Sequence, residues 1–178
     1  VMGILNVTPD SFSDGGDFIS TGQAISHAER MLQDGADIID VGGESTRPGA
    51  GAVTEQEELD RVIPVIEALC GNLPVIVSID SSKPAVMREA VAAGAGLIND
   101  VMALQTPGAV ATVRDLTVPV CLMHMQGEPR TMQKSPVYDD VVTDILGFFR
   151  QRIDVCGAAG IPDERLILDP DFGFGKSL

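Results

Sequence analysis

The fold class follows from residues 74–100, which read PVIVSIDSSKPAVMREAVAAGAGLIND. The stretch opens with an apolar, β-branched segment that ends at Asp80. Pro84 then takes the first position of a helical pattern, where its missing N–H costs little. Gly94 is a typical helix stop, and a second apolar segment follows it. The stretch therefore predicts a strand, a helix and a strand in succession.

The same alternation extends over the whole chain, with no strand-only region. It predicts a parallel sheet covered by helices, an α/β fold. A short echo, GADIID at residues 35–40 and GAGLIN at residues 94–99, agrees with a repeating unit. The candidate strands are residues 1–6, 38–43, 74–80, 97–100, 118–124 and 165–169, and the candidate helices are residues 20–34, 54–69, 84–94, 108–116 and 138–156.

Two of these helices carry specific expectations. Thr54 and Glu57 form a capping-box pattern at the start of the second helix. Pro64 lies inside the same helix and should kink or split it. In the last helix, the side chains expected to face inward are Val141, Val142, Ile145, Phe149 and Ile153.

Polar side chains at the strand ends favour a barrel over an open sheet. A nucleotide-binding open sheet carries a G-x-G-x-x-G turn after its first strand, and residues 6–16 (NVTPDSFSDGG) do not match it. Polar residues instead follow nearly every strand, and in a (β/α)8 barrel all of these ends meet on one rim. We therefore predict a (β/α)8 TIM barrel in a single domain over residues 1–178. Because six strands in 178 residues fall short of eight strands in ~250, we expect the last two strand–helix units to be missing.

Composition argues against several classes of protein. The chain has 12 basic and 26 acidic side chains, a net charge of −14 and no basic cluster, which argues against a nucleic-acid partner. No apolar run reaches the ~18 residues of a membrane span, and residues 1–7 lack the basic start of a signal peptide. Cys70, Cys121 and Cys156 lie in apolar stretches without a C-x-x-C pattern, as expected of reduced thiols in a cytoplasmic protein.

The main candidate site consists of three strand-end side chains, Asp80, Asn99 and Asp169. A carboxylate at the end of a buried strand is costly unless something partners it. Two carboxylates and a carboxamide on one rim suit a ligand rich in N–H donors, such as an amino-oxo-pyrimidine ring. The structural alternative for Asp80 is capping of the helix that begins at Pro84.

The first two strand-to-helix loops offer groups for an anion and for a metal. Thr46 and Arg47 lie in a Gly-rich turn, where Arg47 suits a carboxylate or a diphosphate; a surface ion pair is the alternative. Asn6 and the oxygen-bearing side chains that follow it, up to Asp14, suit Mg²⁺, which keeps several waters when bound to protein; a simple turn is the alternative.

Two other motifs are interpreted as structural. The sequence GKS at residues 175–177 resembles the end of a phosphate-binding loop, but Pro170 stands where the first glycine of that loop belongs. His124 ends an apolar strand and is expected to be a packed side chain rather than a catalytic base.

Five motifs in order along the chain carry a family resemblance. They are ILNVTPDSFSDGG (4–16), DVGGESTRPG (40–49), SIDSSKP (78–84), IND (98–100) and DPDFGFGK (169–176). Together they closely resemble the dihydropteroate synthases, and the resemblance covers essentially all 178 residues. It implies a (β/α)8 barrel of folate biosynthesis, a transferase that joins p-aminobenzoate to (7,8-dihydropterin-6-yl)methyl diphosphate and releases pyrophosphate with the help of Mg²⁺.

The resemblance also implies roles for individual residues. Departure of pyrophosphate leaves a cation-like methyl carbon on the pterin. Arg47 and Mg²⁺ are implied to stabilise the leaving group, and Asp14 the developing positive charge. The full set comprises Asp80, Asn99 and Asp169 at the pterin, Asn6 at the metal, Thr46 beside the diphosphate and p-aminobenzoate, and Phe12, Asp14 and Arg47 in two loops that fold over the substrates.

Two departures from the family pattern bear on activity. The family has glycine where this chain has Asp171, and if that position needs a positive φ, aspartate adopts it less easily than glycine does. The family's seventh and eighth strands supply a Ser-Arg-Lys stretch and an Arg-x-His anion site, and this sequence contains neither. We therefore expect a longer parent protein to be active and the 178-residue chain by itself to be inactive or nearly so.

Two other functions stay open at this stage. One is a pterin-binding methyltransferase barrel, which holds a folate with similar Asp and Asn side chains but gives no reason for the TPDSFSD loop at residues 8–14. The other is a pterin-binding protein without catalytic activity. The expected partners are the small-molecule substrates, with no nucleic acid and no membrane, and the resemblance allows a homodimer of the parent protein.

Overall fold

The computed structural model describes residues 1–8, 21–44, 53–126, 138, 140–173 and 176. Their regular elements form a six-stranded sheet in which every neighbouring pair of strands is parallel and the strands follow one another in chain order. The predicted alternation of strands and helices is confirmed. The strands are β1 Met2–Asn6, β2 Ile38–Gly42, β3 Ile76–Asp80, β4 Leu97–Asp100, β5 Val120–Met123 and β6 Leu166–Asp169, and the helices are α1 Thr21–Gln33, α2 Glu55–Asn72, α3 Pro84–Ala92, α4 Ala109–Leu116 and α5 Val141–Ala158, with a short 3-10 helix at Asp163–Arg165 before β6.

The hydrophobic core lies between the sheet and its helices. Alternate strand residues, such as Val41 and Ile79, are fully buried in it. Helix α1 packs closely on β1, since a Cβ at Gly3 would lie only 2.6 Å from Sδ of Met31. A larger residue at position 3 would therefore require the Met31 side chain to move.

Helix α2 begins and continues as its local sequence requires. The side chain of Thr54 accepts the N–H of Glu57 at 3.3 Å, and the Glu57 carboxylate accepts the N–H of Thr54 at 2.8 Å, so the predicted capping box is confirmed. Pro64 does not split the helix. Proline has no N–H to donate to the carbonyl oxygen of Asp60 four residues earlier. Both residues are exposed, so water can satisfy that carbonyl oxygen.

Helix α5 turns only part of the predicted face inward. Val141 and Val142 are 41% and 63% exposed, so their predicted inward orientation is wrong. Phe149 is buried and Ile145 and Ile153 are partly buried, as predicted, and Arg152 is buried as well. Arg152 points inward because its Nη2 donates to the carbonyl oxygen of Leu104 at 3.1 Å, a polar contact that an apolar pattern does not reveal.

The sheet is an open arc of a barrel. Ile167 and Leu168, which point to opposite faces of β6, are 46% and 41% exposed. On the face away from the helices, Ile4 and Ile76 are also half exposed. Among the described residues, β1 and β6 each pair with one strand and not with each other. This architecture agrees with the predicted incomplete α/β barrel.

Two further findings concern sequence expectations on the membrane and the cysteines. Within the described ranges, none of the helices combines the length and the apolar character that crossing a membrane requires. Cys70, Cys121 and Cys156 are free thiols, and the last two are buried, as expected from their apolar surroundings.

Candidate ligand site at the carboxyl ends of the strands

Four register partners place the predicted strand-end residues in one row. Asn6 pairs with Gly42, Gly42 with Asp80, and Asp80 with Asn99, so these positions run side by side across β1 to β4. Gly42 keeps the row open, because a Cβ there would lie 3.4 Å from Oδ2 of Asp80 and 3.6 Å from Oδ1 of Asn6. The structure thus brings Asn6, Asp80 and Asn99 together as predicted.

Asp169 lies on the same face, one inward-facing position nearer the rim. Its register partner is Met123, whereas Asn99 pairs with Cys121, two residues earlier on β5. The thiol of Cys121 is 7% exposed, and burial, followed by the nearby carboxylates of Asp169, Asp40, Asp80 and Asp100, raises its pKa to about 12. By strand register, Asp169, Asp80 and Asp40 share the face of Cys121 and border a common interior, whereas Asp100 faces the helices.

One further acid, Asp40, belongs to this interior although it was not predicted as a site residue. It is 2% exposed, and its Oδ2 accepts a hydrogen bond from Nδ2 of Asn99 at 2.8 Å. Burial raises the pKa of Asp40, while Ser78 and Asn99 act in the opposite direction. The sequence does contain a signal, since Asp40 is the only charged residue of β2. In the repeat of residues 35–40 and 94–99, Asp40 also aligns with Asn99.

Asp80 has the most strongly perturbed environment of the row. Burial first, and then the neighbouring carboxylates of Asp40, Asp100, Glu58 and Glu44, raise its pKa well above the ordinary value. Each of these groups disfavours a second negative charge at this place. We call Asp80 and these neighbouring carboxylates the acidic wall of the site. This wall favours a ligand that donates hydrogen bonds or brings positive charge.

Asp100, next to Asn99 in sequence, organises the loop after β4 rather than the ligand side. It is fully buried and accepts the Ser82 hydroxyl and the N–H groups of Met102 at 2.9 Å and Leu104 at 2.7 Å. Two residues of this loop, Ala103 and Leu104, have positive φ values of 49° and 59°. The bonds to Asp100 support this conformation of the loop that begins beside Asn99.

The end of β2 is anchored by charged side chains of two helices. Lys83, just before α3, forms ion pairs with both Glu44 and Glu58. Nη1 of Arg61 donates to the carbonyl oxygen of Gly43 at 2.9 Å. These contacts fix the chain immediately before the loop that carries Thr46 and Arg47 in the sequence.

Four predicted site residues lie outside the described residues. Phe12 and Asp14 belong to residues 9–20, and Thr46 and Arg47 belong to residues 45–52. Their predicted roles therefore stay predictions.

In the turn after β6, Asp171 has a positive φ of +37°, a conformation that aspartate adopts less easily than glycine. Its N–H donates to Oδ1 of Asp169 at 2.9 Å, and its own Oδ1 accepts the N–H of Gly173 at 2.6 Å. The first bond orients the Asp169 carboxylate, and the second gives the aspartate at position 171 a local partner that glycine would lack.

Of the two motifs interpreted as structural, the structure describes His124 and, within residues 175–177, Lys176. His124 is 6% exposed and packs edge-on against Phe148, with 4.9 Å between ring centroids, so the prediction of a packed histidine is confirmed. Lys176 Nζ donates to the carbonyl oxygen of His124 at 3.0 Å.

Comparison with known proteins places the chain among related sequences. The model of the family described as pterin binding enzyme matches residues 2–178. The dihydropteroate synthase of Haemophilus influenzae is 57% identical over 178 residues, which is the whole of this chain and 65% of that protein. The dihydropteroate synthase of Escherichia coli K12 is 56% identical over the same length, 63% of its own chain.

Solved structures give the same result. The dihydropteroate synthase of Yersinia pestis in a sulfonamide drug complex superposes with a TM-score of 0.92 at 60% identity, over 99% of this chain and 64% of that one. The Xanthomonas albilineans enzyme in complex with 7,8-dihydropteroate superposes with a TM-score of 0.86 at 52% identity, over 99% and 62%. The chain therefore spans a little under two thirds of the length of these relatives.

Proposed function

Because the chain belongs to the family of pterin-binding enzymes, we propose that it carries the pterin site of a dihydropteroate synthase. The longer protein would be a transferase of folate biosynthesis, condensing p-aminobenzoate with (7,8-dihydropterin-6-yl)methyl diphosphate to give 7,8-dihydropteroate and pyrophosphate. Relatives and solved structures of that name, which match essentially the whole chain, support this proposal.

The observation that carries the proposal is the pairing of Asp80 with Asn99 at the ends of β3 and β4, with Asp169 facing the same interior. An amino-oxo-pyrimidine ring presents two adjacent N–H groups, which one carboxylate can accept in parallel. We assign that edge of the pterin to Asp169, and the opposite side of the ring to Asp80 and Asn99. A neutral ring rich in N–H donors suits a wall in which additional negative charge is disfavoured.

The proposed chemistry is substitution at the pterin methylene carbon. The bond from this carbon to the diphosphate oxygen breaks, and its electron pair leaves with the diphosphate. The aniline nitrogen of p-aminobenzoate forms the new C–N bond and loses a proton. Asp14 stabilises positive charge on the carbon and Arg47 negative charge on the leaving group, roles that rest on the sequence resemblance.

The two loops after β1 and β2 would hold the reactants together. Thr46 contacts the diphosphate and p-aminobenzoate in this proposal, and Phe12 covers them from the other loop. Holding the aniline nitrogen against the methylene carbon makes the reaction effectively intramolecular, which lowers its barrier.

We further propose that Mg²⁺ takes part, held by the amide oxygen of Asn6. Asn6 is exposed at the end of β1, and its Oδ1 borders the same space beside Gly42 as Oδ2 of Asp80. The described part of the chain has no cluster of three or more His, Cys, Asp or Glu side chains that could hold a metal. A single amide oxygen from the protein is compatible with Mg²⁺, which retains waters and binds largely through substrate phosphates. When bound, the ion neutralises charge on the leaving diphosphate.

The test is an assay of the longer protein that contains these 178 residues. Purified enzyme should form dihydropteroate and release pyrophosphate in equal amounts from the two substrates with Mg²⁺. Asp169→Asn should lower kcat/KM by about a hundredfold or more, because the pyrimidine edge loses a charged acceptor. The matched control, Asp163→Asn, changes an exposed acid at the other end of β6 and should leave activity unchanged.

Other outcomes would replace the proposal. Methyl transfer from methyltetrahydrofolate to a corrinoid acceptor, without dihydropteroate formation, would identify a methyltransferase. Pterin binding without turnover in the longer protein would identify a non-catalytic pterin-binding protein.

Three further properties belong to the same proposal. The longer protein would be cytoplasmic, in keeping with the free thiols, and a sulfonamide target, in keeping with the complex of the Yersinia pestis relative. Light scattering on the same preparation would test whether it forms a homodimer.

A further inference from the structure

The hydrogen bond between Asp40 and Asn99 crosses an intervening strand. Asp40 lies on β2 and Asn99 on β4, and β3 lies between them. Ser78 is the register partner of Asp40 on β3 and is fully buried on the same face. Because the serine side chain is small, the Asp40 carboxylate can pass it and reach Nδ2 of Asn99 at 2.8 Å.

This contact determines which way the Asn99 amide faces. An ionised carboxylate only accepts hydrogen bonds, so the amide nitrogen of Asn99, and not its oxygen, must face Asp40. One N–H of that nitrogen is then used, and the second N–H and Oδ1 remain. Asn99 is only partly buried at the end of β4, so the remaining donor and acceptor are available to a ligand.

We propose that Asp40 is a positioning residue, which fixes Asn99 so that it presents one acceptor and one donor side by side to a heteroaromatic edge. The edge recognised would carry an N–H next to an unprotonated ring nitrogen. This inference rests on the proposed function, and it assigns to Asp40 a part in choosing the ring and its orientation.

A second observation favours this role over simple core packing. Oδ1 of Asp40 and Oγ of Ser78 are both buried and bond no other described residue, so this serine hydroxyl is the one partner left to that carboxylate oxygen. Burying a carboxylate with no positively charged partner bonded to it lowers stability, and an apolar side chain at position 40 would avoid that cost. Asp40 therefore costs stability where it lies, as expected of a residue retained for a site. It is too deeply buried to touch a ligand, which makes it a positioning residue rather than a catalytic one.

The experiment compares variants of the longer protein by titration and kinetics. Asp40→Val removes the acceptor and should raise the Kd for dihydropterin-methyl diphosphate about tenfold while changing the KM for p-aminobenzoate less than twofold. Asp40→Asn keeps an oxygen that can accept from Asn99 and should stay within about threefold of the parent. Thr112→Val, the matched control, removes a buried hydroxyl on α4, away from the strand ends, and should bind the pterin normally.

A double-mutant cycle decides whether Asp40 acts through Asn99. Asp40→Val combined with Asn99→Ala should bind the pterin no more weakly than Asn99→Ala alone, because the residue to be positioned is already gone. The inference would be overturned if the two substitutions raised the Kd for the pterin by independent, multiplicative factors. It would also be overturned if Asp40→Val weakened binding of the pterin and of p-aminobenzoate equally.

A measurement on the unmutated protein keeps the test independent of folding and of the proposed reaction. With asparagine labelled by ¹⁵N, one of the two Nδ2 protons of Asn99 should exchange with solvent at least tenfold more slowly than the other. Equal, fast exchange of both protons would show that Asp40 does not hold the amide. An unmutated protein that makes no dihydropteroate would overturn the proposed function and leave this measurement unaffected.

Discussion

The ammonium group of Lys83 is the counter-ion of Glu58, a carboxylate on α2 that is 1% exposed. Lys83 itself precedes α3, so this ion pair joins two helices. The same ammonium also binds Glu44, which follows β2 directly. The Lys83 side chain thus joins α2 and α3 to the end of β2, where the loop of residues 45–52 begins.

We predict that Lys83→Met destabilises the protein strongly. The substitution leaves Glu58 buried without a counter-ion, and breaking a buried pair in this way typically costs about 3–5 kcal/mol. Urea unfolding should reveal the loss as a lower midpoint with an unchanged slope. The control is Arg114→Met, which removes an exposed pair with Asp115 and should change the unfolding free energy by less than ~1 kcal/mol.

A second substitution tests the cause of that loss. If an unpaired charge is responsible, Lys83→Met combined with Glu58→Leu should recover most of the lost stability. Failure of the double variant to recover would contradict the assignment of Lys83 as counter-ion.

We predict that Asp80→Asn stabilises the chain at pH 7. The pKa of Asp80 is raised in the folded protein, so folding favours its protonated form. The stability that protonated Asp80 contributes is present below the unfolded pKa of about 4 and is lost as the pH rises through the raised folded pKa. A neutral amide should therefore raise Tm by about 2–4 °C at pH 7, the shift that ~1 kcal/mol produces in a domain of this size. Near pH 3.5, about where the carboxyl is already protonated in both states, the substitution should leave Tm unchanged.

Calorimetry at both pH values measures this difference. The exposed Asp163→Asn should leave Tm unchanged at pH 7. A gain that persists undiminished at pH 3.5 would mean that ionisation of Asp80 is not its cause. In the longer protein, the stabilised Asp80→Asn variant should bind the pterin more weakly, because a carboxylate acceptor has been lost.

We predict that position 171 tolerates glycine but not a β-branched residue. Its φ of +37° is costly for valine, by about 1–2 kcal/mol, and a shift of its N–H would release Oδ1 of Asp169. Titration of the longer protein with dihydropterin-methyl diphosphate should give Asp171→Gly within about threefold of the parent and Asp171→Val weaker by about tenfold. Equal affinities for the two variants would remove the proposed link between this turn and Asp169.

We predict that the 178-residue chain, assayed alone, does not turn over. Both faces of β6 carry half-exposed apolar side chains, and the family's Ser-Arg-Lys and Arg-x-His groups do not occur in this sequence. Pyrophosphate release should stay at the background rate, and normal turnover would contradict the prediction. Calorimetric titration with the pterin diphosphate, with and without Mg²⁺, would separately reveal whether six strands suffice to bind it.

The sequence predicted best what short-range physics determines. Thr54 and Glu57 are three residues apart, and their capping box follows from that spacing. The row of Asp80 and Asn99 followed from a general property of parallel strands, whose carboxyl ends meet at one edge. The bond from Asn99 to Asp40, 59 residues away, depends on the curvature of the sheet and on the small size of Ser78.

The same distinction explains what sequence analysis missed on the helices. The inward face of α5 was predicted from apolar spacing, but Arg152 turns inward toward a carbonyl 48 residues earlier. The pair of Lys83 and Glu58 likewise needs the relative placement of two helices, 25 residues apart in sequence. Neither placement follows from the local sequence alone.

The position of Cys121 has a consequence for inhibitor design. A thiol in the floor of a ligand site invites an electrophilic group, such as a chloroacetamide, for covalent attachment. With a pKa of about 12, fewer than about one in ten thousand of these thiols is a thiolate at pH 7.4, and the thiolate is the form that reacts. Inhibitors that enter among these carboxylates are therefore expected to gain more from reversible recognition of the acids than from covalent attachment to this thiol.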